Sequence, residues 1–375
     1  MKVNIVVENK LSRSVRCQQL EAMFDIPAKD RQILEWKIDL PIEDELWNIG
    51  LIVGPSGAGK SIIGKEIFKD MYLPEIKWNQ KSVIDDFRED ISIEDIASVC
   101  SAVGFNTIPA WMRPYSVLST GEKFRVDIAR RFLELPDPIV IDEFTSVVDR
   151  QVAKIASHAI QKYVRKNNRK LVAITCHYDI EEWLQPDWIY DVGLKEYRAR
   201  GSLQRERPKL QAEIRRIPYE AWRIFAPFHY LTAELSKSAQ CFGLLIGAQL
   251  VVFVAVVHRP NWKQKGQNLK GFTRTVTLPD WQGLGLNFIL SNTIAAAYKA
   301  LGWRMRAYPA HPPFVRAVMR SKEWKLIKKP QYTQKYKAEY GNRPFKCMKT
   351  VSRPCAIFEY CGAAMDRISA QRLIG

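Results

Sequence analysis

An apolar run, Ile49-Gly-Leu-Ile-Val53, leads directly into Gly54-Pro55-Ser56-Gly57-Ala58-Gly59-Lys60-Ser61. Glycines at this spacing let a backbone fold around a phosphate, with successive N–H groups pointing inward. Lys60 is then placed for the β- and γ-phosphates of a nucleotide, and the Ser61 hydroxyl for Mg²⁺. A second uncharged run, Pro138-Ile-Val-Ile141, ends in Asp142 and Glu143. Asp142 suits the magnesium shell and Glu143 suits polarising an attacking water, although adjacent acids also commonly end a strand. Between the two lies Leu118-Ser119-Thr-Gly121-Glu122. It offers backbone N–H groups to phosphate at a helix start, or else forms an ordinary capping box between Ser119 and Glu122.

Strands must carry the phosphate loop and the Asp-Glu pair, and helices must follow each of them. A helix from Ser61 to Lys69 supplies the first. The three motifs in this order resemble the ATP-binding cassette (ABC) family: P-loop, LSGGQ-like signature, Walker B. Phe144-Thr-Ser-Val-Val-Asp149 looks like that family's D-loop, and His177, ending Ala173-Ile-Thr-Cys-His177, looks like its switch histidine. The resemblance covers roughly residues 1–197. It implies ATP and Mg²⁺ as ligands and a homodimer in which Ser119 and Gly121 of one subunit close on the P-loop of the other. Leu118 follows Ser61 by only 57 residues, so the helical subdomain is compact, which argues against a transporter. Gln80 is a candidate Q-loop residue or a plain surface glutamine. Trp36, Trp47 and Phe24 are candidates for stacking on adenine, the tryptophans equally for the core.

In the second half a strand-like stretch, Leu210–Ile217, precedes an aromatic helix through Trp222, Phe225 and Tyr230. Thr275-Val-Thr-Leu-Pro-Asp-Trp281 then runs into Gln282-Gly283-Leu284-Gly285-Leu-Asn287 and a helix from Phe288 to Leu301. A glycine turn before a helix is a tight turn or a phosphate cradle. The order of elements resembles strand four and the Q/R-x-x-G-x-G/A loop of the GNAT acyltransferases, over about residues 205–330. That likeness implies acetyl-CoA or another acyl-CoA at residues 282–285, with Asn287 departing from the last Gly or Ala of the pattern. Tyr308 is then the candidate acid for the leaving thiolate, and His311 or His258 the candidate base. Each also reads as a structural residue.

The fold class expected is therefore α/β: an ABC-type ATP-binding domain over 1–200, with a mixed sheet and a compact helical subdomain, then a GNAT-like α+β domain over 201–375. Charge divides the chain at the same place. Residues 1–200 hold 28 Lys+Arg against 31 Asp+Glu, whereas residues 201–375 hold 29 against 9. Such an excess of cations points to a polyanion, nucleic acid above all, or to a basic surface kept for solubility or an acidic protein. Arg274, Arg304, Arg306, Arg316, Arg320, Lys322 and Lys325 are candidate phosphate contacts, interleaved with Phe314 and Trp324 as candidate base-stacking rings. Lys328, Lys329, Lys335, Lys337, Tyr332, Tyr336 and Tyr340 extend the run.

Seven scattered cysteines without a CxxC read as reduced thiols, which fits a cytoplasmic protein. Cys347, Cys355 and Cys361 have no regular metal spacing. The uncharged stretch Cys241–Val257 falls short of a membrane span and breaks at Gly247-Ala248, so it reads as two buried strands with a tight turn and no membrane partner. Together these features imply an ATP-dependent enzyme that transfers an acyl-type group to nucleic acid, DNA before RNA, with a loose likeness to Mom-like phage DNA-modification proteins. The alternatives are a tRNA or rRNA N-acetyltransferase with a remodelling ATPase, and a non-catalytic DNA- or ribosome-binding ATPase with a degenerate GNAT module.

Overall fold

The computed structural model describes residues 2–24, 30–43, 46–72, 76–199, 211–229, 234–259, 268–330 and 355–375. In chain order, β1 (Lys2–Lys10), α1 (Val15–Phe24) and β2 (Arg31–Asp39) precede β3 (Ile49–Val53) and α2 (Lys60–Phe68). Helices α3 (Ile93–Ala102), α4 (Ile108–Trp111) and α5 (Thr120–Glu134) come next. They are followed by β4 (Ile139–Ile141), α6 (Arg150–Lys166), β5 (Leu171–Thr175), α7 (Ile180–Leu184), β6 (Trp188–Asp191) and β7 (Glu196–Ala199). The remainder comprises β8 (Ala212–Arg216), α8 (Trp222–Phe225), β9 (Gln240–Ile246), β10 (Gln249–His258), β11 (Leu269–Thr277) and α9 (Leu286–Ala300). It ends with β12 (Arg304–Ala307), α10 (Pro312–Arg320), β13 (Trp324–Lys328), β14 (Ile357–Tyr360) and α11 (Arg367–Ile374).

The chain forms two compact units, and their borders differ from a single cut near residue 200. One unit comprises 1–76, 135–147 and 161–206; the other comprises 77–134, 148–160 and 207–375. Residues 200–210, around that cut, lie outside the described residues.

The first unit holds a five-stranded sheet in the order β4-β5-β3-β6-β7 and an antiparallel pair β1-β2. Strands β4, β5, β3 and β6 run parallel, and β7 is antiparallel to β6. Every residue of β3, β4, β5 and β6 is buried, as expected of parallel strands covered on both faces.

The second unit is built on a seven-stranded sheet, β13-β14-β12-β11-β10-β9-β8, with a core that takes in one face of α9. The apolar stretch 241–257 is indeed a hairpin, β9-β10, turning at Gly247. Among the described residues no helix is long and apolar enough to cross a membrane. The expected helix 288–301 starts two residues earlier, because Gly285 at its N-cap takes a left-handed φ of 78° and lets Leu286 begin the helix. Only three residue pairs join β11 to its parallel neighbour β12, ending at Gly271–Arg306. Beyond them β11 runs on to Thr277 with one extra residue, Thr273, bulged out of register against β10. The two parallel strands therefore part.

Candidate functional site

The parallel register of β4, β5 and β3 pairs Ile141 with Ala173 and Thr175 with Val53. The carboxyl ends of three neighbouring strands therefore carry the P-loop, the Asp142-Glu143 pair and His177 along one edge of the sheet, where ligands of α/β sheets bind. The Lys60 ammonium donates to the Pro55 carbonyl at 2.7 Å, which keeps it over its own loop. Gly59 has φ +94°, and a Cβ there would stand 2.4 Å from the Trp36 ring, so this position takes glycine for both conformation and space. The Trp36 indole N–H also donates to the Ala58 carbonyl, at 3.2 Å. Trp36 thus supports the loop from β2. Trp47 is buried edge-on against Trp188 as a core residue, and Phe24 is exposed on α1.

Glu143 is exposed with φ 50°, and Thr145 has φ 65°, a left-handed conformation that costs non-glycine residues and clusters at functional sites. Sequence reasoning missed Tyr72, whose hydroxyl donates to Asp142 Oδ2 and also lies in hydrogen-bonding range of Ser61. Burial and the Asp142 carboxylate both raise its pKa, so it stays protonated. No motif marks a tyrosine at that distance from the P-loop. One tyrosine hydroxyl thus contacts both Ser61 and Asp142, and a hydroxyl and a carboxylate are hard oxygen donors whose chemistry fits Mg²⁺. His177 is half-buried, its backbone N–H held by Thr175 Oγ1 at 3.2 Å.

Ser119, Gly121 and Asp149 belong to the second unit. The capping box is formed: Ser119 Oγ accepts from the Glu122 N–H at 3.3 Å, and the Glu122 carboxylate accepts from the Ser119 N–H at 3.0 Å. Ser119 remains exposed at the start of α5. Asp149 caps α6, accepting from the N–H groups of Gln151 and Val152. Gln80 lies on a surface loop held by Asp86.

A cavity of about 380 Å³ opens in the second unit where β11 and β12 part. Its walls include Phe272, Thr273 and Thr275 to Thr277 of β11, Ala307 at the end of β12 with Tyr308 and Pro309, the start of α9 and one face of α10. Tyr308, His311, Gly283, Gly285 and Asn287 all line it. The buried Trp281 indole N–H and His311 Nε2 have no hydrogen-bond partner among the described residues. The Arg259 guanidinium stacks 5.1 Å from the centre of the Tyr308 ring. His258 is exposed, edge-on to Trp303, and does not line the cavity.

Gln282 has a different task from the one its motif position implies. Its side chain is buried; Oε1 accepts from the Asn106 N–H at 2.6 Å, and Nε2 donates to the Thr277 carbonyl at 3.0 Å and to Thr107 Oγ1 at 3.4 Å. It fastens the turn to the 104–107 segment instead of offering its amide to a diphosphate. Gly283 (φ +95°) lies against Gly104, the Cβ-less pair letting two backbones meet. Of the 282–285 motif, the open backbone at Gly285 is what remains free for an anion, as nothing lies within 4 Å of its missing Cβ.

Burial and the nearby Arg316 push the His311 pKa down to about 4. A base that weak removes few protons at neutral pH, so His311 suits accepting a hydrogen bond better than proton abstraction. An unfolded histidine titrates near 6.5. Between about pH 6.5 and 4 the unfolded chain therefore binds a proton that the folded chain refuses, and stability falls as the pH drops through that window. The thermal midpoint of wild type should fall more steeply from pH 7 to 4 than that of His311→Gln; equal slopes would remove His311 as the cause.

The candidate nucleic-acid residues separate into two groups. Arg304 and Arg306 both close on Glu359, at 2.7 and 2.8 Å, so one carboxylate holds both guanidinium groups and offsets half of their charge. Arg274 donates to the carbonyls of Thr273 and Glu234. Trp324 is buried, bonded through its indole N–H to Asn292, and cannot stack on a base; its place on β13 alternates inward. Arg316 donates to the Glu94 carbonyl, while Arg320, Lys322, Lys325, Lys328 and Lys329 are exposed. Lys335, Lys337, Tyr332, Tyr336, Tyr340 and Cys347 lie outside the described residues. Cys355 and Cys361 are free thiols, and no cluster of metal-binding side chains occurs among the described residues.

No family model matches the chain. Among curated proteins it is 27% identical over 143 residues to the mitochondrial potassium channel ATP-binding subunit of Homo sapiens, and equally to that of Pongo abelii. The match takes in 38% of this chain and 19% of theirs, so the chain spans about a fifth of the length of these relatives. Among solved structures it is similar to the dimeric bacterial ABC transporter cassette MJ0796, with 17% identity, 45% of this chain and 92% of that one covered, and a TM-score of 0.35. The post-hydrolysis dimer of MJ0796 with ADP and Pi covers 53% and 97%, at 15% identity and a TM-score of 0.37. The cassette cbiO1 from Clostridium perfringens covers 42% and 76%, at 16% identity and a TM-score of 0.33.

Proposed function

We propose that this protein is an ATP-hydrolysing homodimer of the ABC type that transfers an acyl group from an acyl-CoA to nucleic acid, a DNA base in preference to RNA. For the ATPase, the supporting observation is the single sheet edge that carries Lys60, Ser61, Asp142, Glu143 and His177. Lys60 and the loop N–H groups bind the phosphates, Ser61 and Asp142 hold Mg²⁺, Glu143 orients water, and His177 approaches the γ-phosphate. When bound, Mg²⁺ supplies charge neutralisation between the phosphates. Ser119 and Gly121 of the second subunit complete the site. Dimers of ABC cassettes are among the similar structures.

For the transferase, the observation that carries the reading is the fork between β11 and β12. Beyond Gly271 the pairing of β11 with β12 ends, and this open edge suits the amide-bearing arm of coenzyme A as an added strand. The α9 N-terminus and Gly285 then face its diphosphate. In the transfer, the base amine attacks the thioester carbonyl, the C–S bond breaks, and Tyr308 protonates the departing thiolate. The amine proton leaves through water in the cavity. Distorting nucleic acid to expose a base costs energy, which ATP-driven clamping supplies. The exposed cations Arg320, Lys322, Lys325, Lys328 and Lys329 suit the backbone phosphates.

Mass spectrometry of nucleosides digested from DNA and RNA of expressing cells tests this function, with Lys60→Ala and Gly285→Asp as controls. An adduct seen only with the intact protein, in DNA above RNA, is the expected result. An RNA adduct instead would favour the tRNA or rRNA enzyme. Absence of any adduct, from protein that hydrolyses ATP and binds DNA, would favour the binding-module reading.

A further inference from the structure

Arg125, on α5 one helical turn beyond Gly121, is 1% exposed and bonds no carboxylate directly. Its Nη1 donates to the carbonyls of Gly104 and Pro279, and its Nη2 donates to the Asp280 carbonyl at 3.0 Å. A guanidinium buried this deeply normally faces an acid. Here it joins three backbone oxygens from two segments that are distant in sequence. Those segments are the two lips of the cavity: Asn106 and Ile108 follow Gly104, while Trp281, Gln282 and Gly285 follow Asp280. Gln282 ties the same lips together a second time.

The other end of this connection is the signature segment. A Cβ on Gly121 would stand 3.8 Å from Asp280 Oδ1 and 3.2 Å from Val152, three residues after the capping Asp149. Burial raises the Asp280 pKa, with Asp149 and Glu122 adding to the effect and Arg125 opposing it. The first turn of α5, the D-loop end and the turn ahead of Gly285 thus form one packed, charged cluster inside one compact unit.

We propose that Arg125 is a positioning residue that couples nucleotide closure at Ser119 and Gly121 to the shape of the donor cavity. This deepens the function proposed above and rests on it for the ligands at either end. Phosphate engaging the α5 N-terminus biases the helix, and the rigid guanidinium fork carries the displacement to both lips together. Linkage requires the reverse effect: a ligand in the cavity alters nucleotide affinity by the same factor. Lysine keeps the charge but cannot hold three carbonyls in one plane.

The test is hydrogen–deuterium exchange of the full chain with and without magnesium and a non-hydrolysable ATP analogue, nucleotide binding being measured separately by calorimetry. Amides in 104–108 and 279–287 are expected to change exchange rate by about fivefold or more on nucleotide binding, a coupling in the usual range. Arg125→Lys should bind the analogue within about threefold of wild type yet lose that response. Unchanged exchange in nucleotide-bound wild type would overturn the proposal, whether or not the variant folds, as would a response that survives in Arg125→Lys. A separate arm measures acetyl-CoA binding. Failure of acetyl-CoA to bind in any nucleotide state would sink the transferase reading while leaving the exchange result to decide the coupling.

Discussion

Glu143→Gln is expected to lower ATP turnover by about 10²-fold or more while leaving nucleotide binding in place. The side chain is exposed at the end of a buried strand, and the left-handed backbone there (φ 50°) fixes where its carboxylate points. Glutamine keeps the shape and loses the basic oxygen, so a trapped, nucleotide-bound dimer should accumulate on gel filtration with ATP. Lys60→Ala should act one step earlier and lose binding itself, because it removes the cation stationed over the loop at Pro55. Phosphate release and calorimetry separate the two: a Glu143→Gln protein that turns over ATP at the wild-type rate would mean that another group orients the water.

Gln282→Leu is expected to destabilise the second unit by roughly 1–3 kcal/mol, since it removes the half-buried bonds to the Asn106 N–H and the Thr277 carbonyl. That is a large share of the stability of an ordinary domain. A diphosphate-binding glutamine would behave otherwise, because its loss would weaken acyl-CoA binding and leave the denaturation midpoint where it was. Urea unfolding followed by tryptophan fluorescence reads the difference, and an unchanged midpoint would return Gln282 to a ligand role. The comparison with Gly285→Asp is informative, as that position is open and its substitution places a carboxylate at the α9 N-terminus without breaking either bond.

Much of this was legible in the residues themselves. Local spacing dictates a P-loop, since a glycine pattern followed by Lys60-Ser61 specifies a backbone path through steric freedom alone. The uncharged strands before Gly54 and Asp142, the capping box at Ser119 and Glu122, and the hairpin turning at Gly247 follow equally from short-range pattern. What needed the tertiary structure was every partnership made across long stretches of chain. Charge divides the sequence near residue 200, but packing places 77–134 with 207–375, because Arg125, Gly104, Gln282 and Gly283 satisfy one another's buried polar groups and close contacts. Arg304 and Arg306 look like phosphate ligands until Glu359, over fifty residues onward, is folded beside them. Trp324 looks like a stacking ring until its strand is seen to turn it inward. Tyr72 carries no motif and meets Asp142 only when α2 has packed on the sheet. Periodicity and turn chemistry act over a few residues, whereas a buried donor takes whichever acceptor the completed fold brings within reach.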